Sequence, residues 1–180
     1  NRESEMRPSL FAIVAAVLLL AANAGSRTAA AASPADPSRW PVYRNDRYSV
    51  ELRYPPDYAV VQPRNALQPR PLLRVWFKEA RLANSPIADR EPPQFAMDVY
   101  DNASGQPLDS WLAASGATRT LARAAREAVT VAGTPAIRLT DQALLAPNTF
   151  YYVARGRFVY RFTPLGGRSD EMLATVRFTR

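Results

Sequence analysis

The sequence predicts an α+β fold, an antiparallel sheet of hairpin-linked strands with a few short helices laid against it. Three observations lead there. Several short runs alternate apolar and polar residues with period two, the mark of half-buried strands. Two pairs of extended runs are separated by short glycine-bearing turns, at Gly133-Thr134 and Arg155-Gly156. Helical spacing is confined to one stretch after Ser104 and one after Gly167.

Along the chain, Tyr48, Val50, Leu52 and Tyr54 alternate with Ser49, Glu51 and Arg53, which predicts the first strand. Pro55-Pro56-Asp57 ends it, because prolines cannot donate to a ladder, and Tyr58 to Val61 continue extended after the turn. A proline-rich stretch, 62–71, leads into "LLRVWFK" (Leu72 to Lys78), apolar on both faces as a central strand is. "QFAMDVYDN" alternates again, with Phe95, Met97 and Val99 on one side and Ala96, Asp98 and Tyr100 on the other. Pro107 suits a first helical turn, Leu108, Trp111 and Leu112 fall at i, i+3 and i+4, and Gly116 is a natural stop. Arg119 to Arg126, "RTLARAAR", has helical propensity but equally suits a loop feeding a strand over Ala128 to Val131. In the second hairpin Phe158, Tyr160 and Phe162 alternate with Arg157, Val159 and Arg161, predicting one greasy side and one cationic side. Gly166-Gly167 break the chain, Ser169 is the expected cap, Asp170 and Glu171 suit the positive start of a helix, and "VRF" closes the fold as a strand.

The N-terminal region reads as a secretory signal peptide, 6–24: Met6 and Arg7, an apolar run from Leu10 to Ala22, then Ala22-Asn23-Ala24 with small residues at the cleavage positions. That run has 13 residues, short of the roughly 20 that span a bilayer as a helix. Membrane attachment is expected only through an uncleaved signal segment. Ala30-Ala31-Ala32 offers a later cut, Asn1 to Glu5 read as translated upstream sequence or a fragment end, 25–39 as a flexible leader, and 40–180 as a single domain. There is neither cysteine nor histidine. Disulfides, thiol nucleophiles, Ser-His pairs and ordinary zinc or copper sites are thereby closed to this chain. The formal net charge is +7, and of 23 basic residues only Lys78 is not arginine.

Taken in order, "YSVELRYPPDYAV", "MDVYDN" with "PLDSWL", "VAGTPAIRL", "YYVARGRFVYRF" and "DEMLATVRF" form a recognisable set. The set resembles the PsbP-like family, named for an extrinsic subunit of photosystem II and including many exported bacterial proteins. The resemblance covers about Trp40 to Phe178. It implies an α/β/α sandwich around a central, mainly antiparallel twisted sheet, with "RYPPDY" as the corner after the first long strand and Tyr54 and Tyr58 plugging the core. It also implies an assembly, stabilising or binding role with no shared catalytic motif. The chain lacks the cysteine on which many bacterial relatives carry a lipid.

Arg119, Arg123 and Arg126 would share one face if their stretch is helical, and Arg155, Arg157 and Arg161 lie on or near one hairpin. These six are the candidate anion or partner surface. Asp98 and Asp101, with Asp109 downstream, have oxygen ligands for a hard cation, yet no calcium-loop pattern accompanies them, and turn or cap roles suit Asp101 and Asp109 better. "ARGRFVYRF" is one residue short of an RNA-binding signature, and an exported protein is not expected to meet nucleic acid. A Ser/Lys pair would need serine at position 75, where Val75 stands. The leading expectation is therefore an exported accessory or binding protein, periplasmic or secreted, without enzyme activity, metal or cofactor. It would present a sheet-and-loop surface to an envelope protein. An arginine-based binder of anionic glycans or lipid headgroups is the alternative, and a carboxylate-based hydrolase the third reading.

Overall fold

The computed structural model describes residues 36–63, 69–86, 91–145 and 147–180. The expected signal peptide, its alternative cut after Ala32, residues 1–5 and most of the leader lie outside the described residues. Among the described residues no helix is long and apolar enough to cross a membrane.

The strands are β1 (Val42–Asn45), β2 (Val50–Arg53), β3 (Tyr58–Val61), β4 (Leu73–Glu79) and β5 (Phe95–Asp101), then β6 (Ala125–Val131), β7 (Thr134–Thr140), β8 (Thr149–Arg155), β9 (Phe158–Pro164) and β10 (Arg177–Phe178). Among the described residues three short α-helices accompany them: α1 (Ala80–Ala83), α2 (Leu108–Ser115) and α3 (Ser169–Ala174). Seven strands form one sheet in the order β3-β4-β5-β9-β8-β7-β6, every neighbouring pair antiparallel. The other three form a small antiparallel sheet, β1-β2-β10. The α+β class with a large antiparallel sheet stands as the sequence predicts.

The first predicted strand belongs elsewhere than expected. It is the middle of the small sheet, paired with β1 on one edge and with β10, 125 positions and more downstream, on the other. The corner "YPPDY" carries the chain from one sheet to the other: the Tyr58 amide donates to Pro55 O at 3.0 Å, closing a turn over the two prolines. Tyr58 is buried beside that corner and Tyr54 packs against Phe77 with ring centroids 5.4 Å apart.

Period-two alternation decides which side chain enters which layer. Val75, Phe77, Phe95, Met97, Val99, Val153, Tyr160 and Phe162 form one face of the large sheet, and Val50 and Leu52 of β2 with Met172 of α3 cover it. Tyr100, Ile137, Leu139, Phe150, Tyr152 and Val159 form the opposite face, covered by Trp111 and Leu112 of α2 and by Leu121. The large sheet thus has α2 on one side and α3 on the other, as the sandwich requires, with the small sheet beside α3 as an addition the sequence did not announce.

The turns follow from glycine chemistry. At the β6–β7 hairpin both Ala132 (φ 49°) and Gly133 (φ 72°) are left-handed, the pair of conformations a type I′ turn demands. The loop is therefore Ala132-Gly133, one residue earlier than the sequence suggests. Gly166 is required by a close approach: a Cβ there would meet Gln94 side-chain carbons at 2.9 Å. Ser169 is the first residue of α3 and not its cap; its hydroxyl donates to Gly166 O at 2.5 Å.

Tyr160 ties the layers together. Its hydroxyl donates to Tyr48 O at 2.7 Å, and burial pushes its pKa up to about 12. A phenol harder to ionise in the folded than in the unfolded chain stabilises fully below its unfolded pKa, and that contribution is lost as pH rises through the folded value. Stability should therefore fall between about pH 10 and pH 12. Urea midpoints at pH 8, 10 and 11 would show it, and the decline should be shallower in Tyr160→Phe.

Candidate functional site

Three strands of the large sheet carry charge inside an apolar run, among it Arg74 in β4, Asp98 in β5 and Arg161 in β9. The register sets them side by side, Arg74 opposite Asp98 and Asp98 opposite Arg161, with Tyr152 of β8 next in the row. Arg74 Nε donates to Asp98 Oδ1 at 2.6 Å, while Arg161 Nε and Nη2 donate to Oδ2 at 3.0 and 2.5 Å. Side-chain exposure is 1% for Asp98 and 16% for Arg161. Burial works against the Arg161 charge, but Asp98 together with the neighbouring Tyr100 and Tyr152 offsets it, and the pKa lies above the ordinary arginine value. Tyr100 and Tyr152 are packed beside this row, and burial pushes both phenols up, against the nearby Arg161 charge and, at Tyr152, its side-chain hydrogen bond. Lys78 is buried too, its ammonium donating to Glu91 O at 2.8 Å and lying 5.6 Å from the Trp76 ring centroid. The sheet interior therefore holds a charge ladder whose carboxylate is satisfied from both sides.

That ladder corrects the expected surface. Arg161 does not face solvent with Arg155 and Arg157, because its side of β9 also carries buried Val159 and Thr163 and lies under the α2 layer. The other five candidates separate into two places. Arg119 sits in a single 3₁₀ turn (Arg119–Leu121), Arg123 follows in a turn, and Arg126 is already in β6, so they do not share a helix face. Pairing of β6 along β7 overrides the helical propensity of this alanine-rich stretch. Arg126 forms an ion pair with Asp109 of α2. Arg155 and Arg157 flank Gly156 at the β8–β9 turn, both exposed. Arg155 lies over the Phe178 ring at 5.1 Å and Arg157 over Phe158 at 5.8 Å, with Asp101 3.8 Å from Arg157. Arg47, which sequence reasoning passed over, belongs to the same end: it lies over Tyr48 at 5.4 Å, and Tyr48 meets Phe158 edge-on at 5.4 Å.

The three acids considered for a cation are likewise kept apart, Asp98 in the ladder, Asp101 beside Arg157 and Asp109 beside Arg126. Among the described residues no group of three potential metal ligands converges.

A cleft of about 530 Å³ opens on the outer side of the small sheet. Glu51 and Arg53 of β2 contribute to its floor, Val42 of β1 forms one margin, and Glu171, Ala174 and Arg177 form the other. Its walls are fixed by hydrogen bonds. Thr175 Oγ1 accepts from the Arg53 amide at 2.9 Å and donates to Met172 O at 2.7 Å, clasping the end of α3 to β2. Arg53 Nη1 donates to Trp40 O at 2.8 Å, and Arg177 Nη1 donates to Val176 O at 2.8 Å. Val42 stands 46% exposed at the rim. The arrangement offers short aliphatic surface bordered by both signs of charge, a chemistry of contact.

These layers define an α+β protein with one large antiparallel sheet backed by helices and a small second sheet. Among solved structures the chain is similar to that titled cyanobacterial PsbP (CyanoP) from Synechocystis sp. PCC 6803, with 14% identity, a TM-score of 0.48, and coverage of 77% of this chain and 91% of that one. It is also similar to a Bacteroides thetaiotaomicron VPI-5482 protein solved at 1.50 Å, with 12% identity and a TM-score of 0.41, covering 78% of this chain and 49% of that one. No family model matches the sequence, and no curated protein does.

Proposed function

We propose that this is an exported, non-catalytic accessory protein that works by docking a protein partner of the cell envelope against the outer face of its small sheet. The observation that carries the reading is the cleft: Val42 and Ala174 supply apolar contact while Glu51, Glu171 and Arg177 flank it with both charges. A partner segment pairing a small apolar side chain with flanking charges of both signs would match that lining. The interior supports the same reading, because Asp98, the most deeply buried carboxylate among the described residues, is held by two guanidiniums.

Residue-specific photo-crosslinkers placed at Val42 and Ala174 test it in intact envelopes. Both should capture the same protein, and a probe at exposed Gln142, in the β7–β8 connection, should not. Val42→Asp combined with Glu171→Arg should lower that capture by about tenfold, the effect of misplacing a rim charge and an apolar contact. Equal capture from Gln142, or turnover of a substrate by the purified protein, would overturn the proposal.

A further inference from the structure

We infer that the end of the molecule bearing Arg47, Arg155 and Arg157 is a docking face for an anionic phospholipid surface. The three arginines come from two chain reversals, the 3₁₀ turn Asp46–Tyr48 and the β8–β9 turn at Gly156, and all three are exposed. Linked ring contacts bring them to one place: Arg47 on Tyr48, Tyr48 against Phe158, Arg157 on Phe158, and Arg155 on Phe178. Phe178 and Phe158 both touch Tyr160, at 4.8 and 6.4 Å between centroids, so the aromatic platform is continuous. Each guanidinium therefore lies within about 6 Å of a ring centroid, a contact that restrains the side chain and lowers the entropy lost when it pairs with a phosphate. Local acids only partly offset the charge, since Asp46 is engaged by Arg44 at 2.5 Å and Asp101 stands 3.8 Å from Arg157.

The shape selects the occupant. The cations sit at exposed turns and line none of the clefts described, and a cationic end backed by half-buried phenyl rings suits a plane of headgroups better than a single small anion. Each arginine near such a surface is worth about fivefold in partitioning, so the three together give about 100-fold.

The absence of native cysteine allows a single labelling site. Full-length protein carrying an environment-sensitive fluorophore at Asp46→Cys, beside Arg47, or at Gln142→Cys, at the opposite end of β8, would be titrated with phosphatidylglycerol and with phosphatidylcholine vesicles. The expected result is a response to phosphatidylglycerol from the Asp46 position alone, lost at high salt and weakened about 100-fold in Arg47→Ser/Arg155→Ser/Arg157→Ser. Far-ultraviolet circular dichroism establishes that this variant is folded, and Arg→Lys at the same three positions, which keeps the charge, should recover most of the binding. Equal responses at both positions, equal binding to phosphatidylcholine, or binding that is flat with salt would overturn the inference. So would arginine-dependent binding of soluble heparin with no response to vesicles, which would make the ligand a glycan-type polyanion.

Discussion

Asp98→Ala should destabilise the protein by about 3–5 kcal/mol, because it leaves the Arg74 and Arg161 guanidiniums beside each other in a desolvated layer. For a domain whose whole stability is about 5–15 kcal/mol that loss is large, and the melting temperature should fall on the order of 10 °C. The sign of the effect does not mean that the ladder is a net source of stability. Desolvating three charges is itself costly, so a packed apolar row can do as well. Arg74→Met/Asp98→Val/Arg161→Met should accordingly recover most of what Asp98→Ala loses. Thermal denaturation of the three proteins separates the cases, and an Asp98→Ala protein within about 1 kcal/mol of the parent would show that water reaches the carboxylate.

The ladder also explains where the sequence was readable. Alternation located β2, β5 and β9 because successive side chains of a strand enter different layers, and the proline corner and α2 were legible from residues with a single conformational preference, Pro55, Pro56 and Gly116 among them. Side assignment failed at Arg161 because the rule that charges face water holds only where no partner lies across the ladder. The signal was present: "LLRVWFK", "FAMDVYD" and "RFVYRF" are apolar strands each interrupted by central charge, and opposite signs in strands that pair read as an internal ion row. Finding it requires knowing that β5 pairs with β4 and β9, which is long-range information. The small sheet was missed for a similar reason. β1 has four residues with no strong alternation, and it is a strand because β2 supplies its ladder. Arg47 escaped notice because its neighbours in the charged cluster come from a hairpin more than a hundred residues away.

Phe77→Ala should cost about 3–5 kcal/mol, and its loss should be felt first in the small sheet. Phe77 is fully buried and touches three rings from three places: Tyr43 of β1 at 5.7 Å edge-on, Tyr54 of the corner at 5.4 Å, and Phe95 of β5 at 6.0 Å. Ring pairs of this kind add about 0.5–1.5 kcal/mol each beyond the area they bury. Within the large sheet, β4 is still held on both edges by β3 and β5 when the ring is removed. The small sheet has no such redundancy, since it meets the rest through side chains and through few hydrogen bonds such as that of Tyr160 to Tyr48 O. Amide hydrogen exchange should therefore show Val50, Glu51 and Leu52 losing protection well before Met97 and Val99 in the variant. If both sheets lose protection together, the two layers unfold as one unit and the cleft on the small sheet is as rigid as the central strands. If β2 opens first, the proposed docking face is the part of the molecule whose order a bound partner would most increase, and partner binding should raise β2 protection more than that of the large sheet.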